Sequence, residues 1–368
     1  VSDSTKSGSM STLSRVRPAV RVGPASAVLR ISVLLTVIGL AVALLVAFAF
    51  DIAVGEFHIP LGRVLDVLTG GGTRAQRFII FESRLPRAVT AVVAGAALGL
   101  AGAVTQSILH NPLASPDLLG ITSGSSCAAV AAVAGTGSAT GLAATLGVPL
   151  AALAGGLLTA VAIYVLAWGR GHDGAAGTTG MRLVLIGIGV NALLLSGVSW
   201  LLTRATLTDA TRAQLWLTGS LNGADWTRAV PAAIGLAVVL AVTAGSARTL
   251  AALRFGTDTT RALGVRLQAQ QGLLLGAAVV AAALATAAVG PVAFVGLTAP
   301  QIARRLLRAP GEPIVASALV GALIVVGGDV VARTVVPVDL PVGIVTAVLG
   351  GPFLLLLLVR TNRKATLS

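Results

Sequence analysis

Long apolar runs separated by short basic or Gly/Pro-rich stretches set the rhythm of this 368-residue chain. The apolar runs occupy residues 31–50, 88–109, 118–134, 142–168, 183–202, 229–244, 272–289, 292–302, 314–331 and 342–359. A hydrocarbon crossing takes about 20 apolar residues, so the pattern predicts an all-α protein with ten membrane helices. The eighth run is short on its own count. Residues 51–82 form a mixed-charge loop, in which 61–68 is predicted to be a short interfacial helix. The stretch 248–266 is amphipathic and too charged to cross a bilayer. Breaks are predicted at Asn111 and Pro112, and again at Gly290 and Pro291, because proline removes a helical donor and biases the preceding residue away from the helix.

Charge gives the pattern a direction. Of the 26 Lys and Arg, 17 fall on the face that would carry both termini. They are five in the leader 1–30, then Arg170 and Arg182, four in 248–266, three in 304–308, and Arg360, Arg363 and Lys364. The excess of basic residues on cytoplasmic loops places both termini in the cytoplasm. Ten is the better count, since an eighth run that failed to cross would put the basic C-terminus outside. The expected organisation is a basic leader over 1–30, a membrane domain over 31–360 and a short cytoplasmic tail over 361–368. Residues 47–49 faintly resemble a signal-peptidase site, but the long basic leader and the spans that follow favour an uncleaved first helix.

A mean hydropathy of +0.94 and 55% hydrophobic residues belong to a polytopic membrane protein. The net charge of +13 does not point to nucleic acid, because only 4% of residues are aromatic and no charged face is left to track phosphates. Cys127 stands alone, which rules out an intrachain disulfide. The three histidines show no metal-ligand spacing. Lysine occurs only at Lys6 and Lys364, neither after a Gly-rich loop, so no phosphate-binding loop of the Walker type is present. Asp329 is the only acid within an apolar run, and it lies four residues before Arg333, the spacing of a pair on one helix face. A structural pair explains it better than ion coupling, which would call for further buried ionisable groups.

The richest stretch runs from Arg84 to Ser126. Arg84 and Arg87 stand before the second span in RLPR, and GAALGLAGAVTQ follows at 95–106. Gly95, Gly99 and Gly102 share one helical face there, suited to close backbone packing in lipid. NPLASPDLLG closes the stretch at 111–120. Further on come LRFGTDTTRALGV at 253–265, GPVAFVGLTAP at 290–300 and DLPVGIVT at 339–346, the last followed by Gly350, Gly351 and Pro352. Taken together these resemble the FecCD-type permeases of ABC importers, which take up iron–siderophore, haem and cobalamin chelates. The resemblance runs from about residue 48 to 360.

That resemblance implies a permease subunit in the bacterial cytoplasmic membrane, paired with a second permease as homodimer or sister chain. It further implies separate ABC ATPase subunits that carry ATP and Mg, and an extracytoplasmic substrate-binding lipoprotein. This chain itself would bind no cofactor and perform no catalysis. Arg84, Arg87 and Arg333 correspond to residues that meet acids on the binding protein, where bidentate guanidinium–carboxylate contacts add orientation. Leu253, Gly256, Arg261, Ala262, Leu263, Gly264 and Val265 correspond to the segment that docks into the ATPase. Gly99, Gly102, Gln106, Asn111 and Pro112 are pathway candidates, with helix packing the equal alternative for them. Iron–siderophore is the expected cargo, with haem and cobalamin open. An ion-coupled secondary transporter is the rival class, and the missing buried coupling residues speak against it.

Overall fold

A computed structural model describes residues 19–22, 25–28, 31–55, 59–135, 142–170, 176–177, 180–253, 256–262, 264, 266–308, 313–335 and 340–365. Among them the chain is helical apart from two small antiparallel pairs, Ala19–Val22 with Ala25–Val28 and Gly169–Arg170 with Ala176–Gly177. The helices in order are α1 (Ile31–Ala53), α2 (Leu61–Leu68), α3 (Arg74–Phe78), α4 (Leu85–Leu109), α5 (Ile121–Gly135), α6 (Leu142–Ala167), α7 (Gly180–Arg204) and α8 (Leu207–Leu217). They continue as α9 (Trp226–Gly245), α10 (Ala247–Leu253), α11 (Thr257–Ala262), α12 (Leu267–Val289), α13 (Val295–Leu307), α14 (Ile314–Thr334) and α15 (Val342–Ala365).

Each of the ten apolar runs forms a helix, but among the described residues only eight of these helices are long and apolar enough to cross a membrane. The eighth run becomes α13, 13 residues, as anticipated. The third is also short: a 3-10 turn over Pro116–Leu119 and a left-handed Gly120 precede α5, which keeps 15 residues. At 1.5 Å per residue these two reach only about 20–23 Å, against a hydrocarbon core of about 30 Å. The loop helix α2 has the predicted bounds, and it seats Val64 and Val67 on Ile52, Ile59 and Ile80.

Helix α4 is the hub. It is the extension of a rod that starts at α3, where Thr73 and Gln76 form a reciprocal capping box, and passes through a π-helical turn over Ile79–Arg84. Most of α4 is buried, and it packs on α14, α12, α13 and α9. Its glycine face is what allows this. A Cβ on Gly95 would stand 2.4 Å from the Gly321 carbonyl oxygen, and one on Gly99 would stand 2.2 Å from that of Ser317, both on α14. A Cβ on Gly102 would stand 1.7 Å from the Gly296 oxygen of α13. Backbones this close maximise dispersion contact, the main attraction between helices in lipid. Ala-rich α12 lines the other side of the hub with Ala278, Ala281 and Ala282. By contrast α1 lies at the edge, with large apolar side chains such as Leu35, Leu45 and Val46 exposed, as a lipid-facing helix requires.

The helix ends sort into two faces. One gathers the end of α1, the start of α4, the end of α14 and the loop before α9, where Gly219 N donates to Trp216 O at 3.1 Å and the Gly219 carbonyl accepts from Gly343 N at 3.0 Å. The opposite face gathers the start of α1, the turn after α4, and α10 with α11.

Candidate functional site

At the first face, four segments meet around two carboxylates. Asp329, on the last turns of α14, is 1% exposed and lies between two guanidinium groups. Arg87 donates from Nη2 to Oδ1 at 2.7 Å and from Nε to Oδ2 at 3.0 Å, a bidentate clamp from α4 to α14. Arg333 Nε lies 3.0 Å from Oδ2, close enough for charge attraction but not aligned for a hydrogen bond. Arg333 turns its terminal nitrogens to the end of α1, donating to Val54 O at 2.9 Å and pairing with the Asp51 carboxylate. Arg84 donates from Nη1 to Ile52 O at 2.7 Å and Ala53 O at 3.0 Å. These guanidiniums satisfy carbonyls that the last turn of α1 leaves without intrahelical donors. Asn222, in the loop before α9, accepts from Arg87 Nη1 at 2.8 Å.

The three arginines singled out from the sequence therefore come together, and all three are engaged within the chain. Arg84 is buried, the Arg333 side chain is 11% exposed and that of Arg87 is 20% exposed. Arg87 offers the most surface to a partner. The Asp329–Arg333 spacing does bring the two together on one helix, yet the better-aligned partner of Asp329 is Arg87, 242 positions away in sequence. One expectation is corrected: Asp329 is not the only acid within a span. Helix α1 runs on to Ala53, past the end of the apolar run, and buries Asp51 in its last turn. Sequence reasoning also missed Asn222. Asp51 carried a signal, since an acid directly after an apolar run can be pulled in by a basic neighbour, whereas nothing marked Asn222.

At the opposite face, α10 and α11 form an elbow about Gly256, whose φ of +93° favours glycine. Thr260 is fully buried and locks the elbow, its hydroxyl donating to Ala252 O at 2.9 Å and Gly256 O at 2.7 Å. Leu253 is buried in the chain's own core and is not presented outward. Ala262 and Gly264 are exposed. Leu263 and Val265 lie outside the described residues, as does the side chain of Arg261.

Of the pathway candidates, Gly99 packs against α14 and Gly102 against α13. Gln106 is buried, donating to Leu297 O at 3.2 Å and accepting from Gln301 Nε2 at 2.7 Å. Asn111 is exposed and its side chain accepts from Leu113 N at 2.9 Å, while Pro112 O accepts from Gln301 at 2.8 Å. In the turn that follows, burial pushes the Asp117 carboxyl above the usual carboxylate range, and a hydrogen bond from the Thr122 hydroxyl pulls it partly back. Among the described residues no group of three or more His, Cys, Asp or Glu could hold a metal ion.

Comparison with known proteins agrees with this architecture. The chain is 38% identical over 332 residues to the ferric enterobactin transport system permease protein FepG of Escherichia coli, covering 90% of this chain and 97% of that one. It is 36% identical over 328 residues to the iron(3+)-hydroxamate import system permease protein FhuG of Bacillus subtilis, covering 87% and 95%. A solved structure of a metal-chelate type ABC transporter in an inward-facing conformation superposes with a TM-score of 0.75 at 25% identity, covering 89% of this chain and 99% of that one. The model of the FecCD transport family matches residues 43–360, and the chain belongs to that family.

Proposed function

We propose that this multi-pass membrane protein is the permease subunit of an ABC importer for iron–siderophore complexes. The observation that carries the reading is likeness along nearly the whole length to permeases named for ferric chelates, together with the fold shared with a metal-chelate type transporter. In this reading the basic termini and the α10–α11 elbow face the cytoplasm, following the charge bias of the loops. ATP and Mg belong to separate ATPase subunits, and a second permease completes the pathway. The elbow receives the ATPase through Gly256, Arg261, Ala262, Leu263, Gly264 and Val265, while buried Leu253 anchors it to the membrane domain. Arg87 is the contact for an acidic residue of an extracytoplasmic binding protein, and Arg84 and Arg333 hold the surface behind it.

Transport follows from alternating access. ATP drives the permease only if it binds one conformation of the assembly more tightly than the other, and the elbow is where that preference enters this chain. The cargo crosses without covalent change. Reconstitution with the cognate ATPase and binding protein tests the reading, using a ferric catecholate, a ferric hydroxamate and haem as probes. ATP-dependent uptake of a ferric siderophore supports it. Uptake of haem alone would retain the importer and overturn the cargo.

A further inference from the structure

His110 ends α4 in the left-handed conformation, with φ 49° and ψ 32°. Glycine is the usual residue at such a helix end, because a side chain there costs conformational energy. A histidine kept in this conformation suggests that its side chain has work to do. The ring supplies it: Nε2 lies 3.2 Å from the carbonyl oxygen of Leu253, the last residue of α10. A carbonyl only accepts, so Nε2 carries the proton in this contact. The same oxygen accepts from Gly256 N at 3.2 Å. The end of α10 is thus capped jointly by the elbow glycine and by a side chain from the central helix.

The turn after His110 is fastened in the other direction. Gln301 of α13 donates to Pro112 O at 2.8 Å and to Gln106 Oε1 at 2.7 Å, with both glutamines buried. The elbow is therefore bonded to the end of α4, and the chain on either side of His110 is bonded in turn to α13. We propose that His110 is the positioning residue that transmits motion of the α10–α11 elbow to α4 and, through Gln301, to α13. The inference rests on the elbow being the ATPase contact, and its tests are separable from that reading.

Two substitutions isolate the contact. His110→Gly keeps the left-handed turn at lower conformational cost and removes the ring. His110→Gln retains a side-chain donor with about the reach of Nε2. The assembled transporter is studied with Cys127 replaced by Ser and spin labels at Leu273 on α12 and Leu306 on α13, both half exposed. The distance between the labels is compared without nucleotide and with ATP and vanadate.

The wild-type background should show a nucleotide-driven change in label distance. H110G should lose most of it, and its uptake of ferric siderophore per ATP hydrolysed should fall about three- to tenfold, the scale of one lost coupling contact. H110Q should restore both, and the melting temperature should change little in either. An H110G transporter with the wild-type distance change overturns the proposal, and so does a wild type with no change. Crosslinking from Ala262→Cys to the ATPase tests the underlying reading. Crosslinking together with an unaffected H110G refutes the role of His110 alone, while absence of crosslinking removes the elbow as the ATPase contact.

Discussion

Replacing Asp329 by Asn removes one charge and almost no volume. In the native chain this carboxylate is 1% exposed, receives a bidentate clamp from Arg87 and lies 3.0 Å from Arg333 Nε. The amide keeps one acceptor oxygen but leaves two guanidiniums, 20% and 11% exposed, to share what remains. Arg333 retains Asp51, and Arg87 retains Asn222. Breaking a buried pair from one side costs about 3–5 kcal/mol, and the remaining partners and partial exposure place this case near the lower end, ~3 kcal/mol. With ~2 cal/mol/K of unfolding entropy per residue, that lowers the midpoint by about 4 °C for the 368-residue chain. The shift grows if helices survive unfolding in detergent, since less entropy is then released. The assay is thermal unfolding of the purified permease, with Asp66→Asn as control, because the Arg63–Asp66 pair is 61% and 45% exposed and should contribute almost nothing. Adding Arg87→Gln to D329N should recover part of the loss, since one of the stranded charges goes with it. A D329N midpoint equal to that of D66N would refute the claim that this cluster holds α1, α4 and α14 together.

Gly102→Ala should destabilise by about 1–3 kcal/mol, because its Cβ would stand 1.7 Å from Gly296 O and α13 must retreat; Gly39→Ala, with nothing within 4 Å, should leave the same thermal melt unchanged. Asp117→Asn should raise the melting midpoint at pH 8 and change it little at pH 4. The folded carboxyl titrates above its unfolded value, so wild-type stability is greatest below the unfolded pKa and is lost as pH rises through the folded one. A D117N gain that was larger at pH 4 would contradict this sign.

Most of the membrane architecture was legible because crossing lipid demands long apolar segments, and each of the ten runs became a helix. Helix length was less legible at α5. There the apolar count includes Leu118 and Leu119, which the chain places in a 3-10 turn before Gly120 reverses its direction. The glycine face of α4 was readable as a packing surface, but its partners on α13 and α14 were not, since spacing within one helix says nothing about which helix approaches. The charged cluster shows the same division. Asp329 and Arg333 are one turn apart and local spacing pairs them, whereas Arg87, Asp51 and Asn222 join only through the tertiary fold. Leu253 marks the limit of pattern: its place in the charged stretch 248–266 says nothing of which way it faces, and the chain buries it.

The central claim is ATP-driven import through this permease, and the most direct measurement is ferric siderophore uptake into proteoliposomes containing the chain, its ATPase and its binding protein. Uptake should require ATP and the binding protein and be unaffected by collapsing ion gradients. Uptake by the chain without an ATPase, driven by an ion gradient, would contradict that claim.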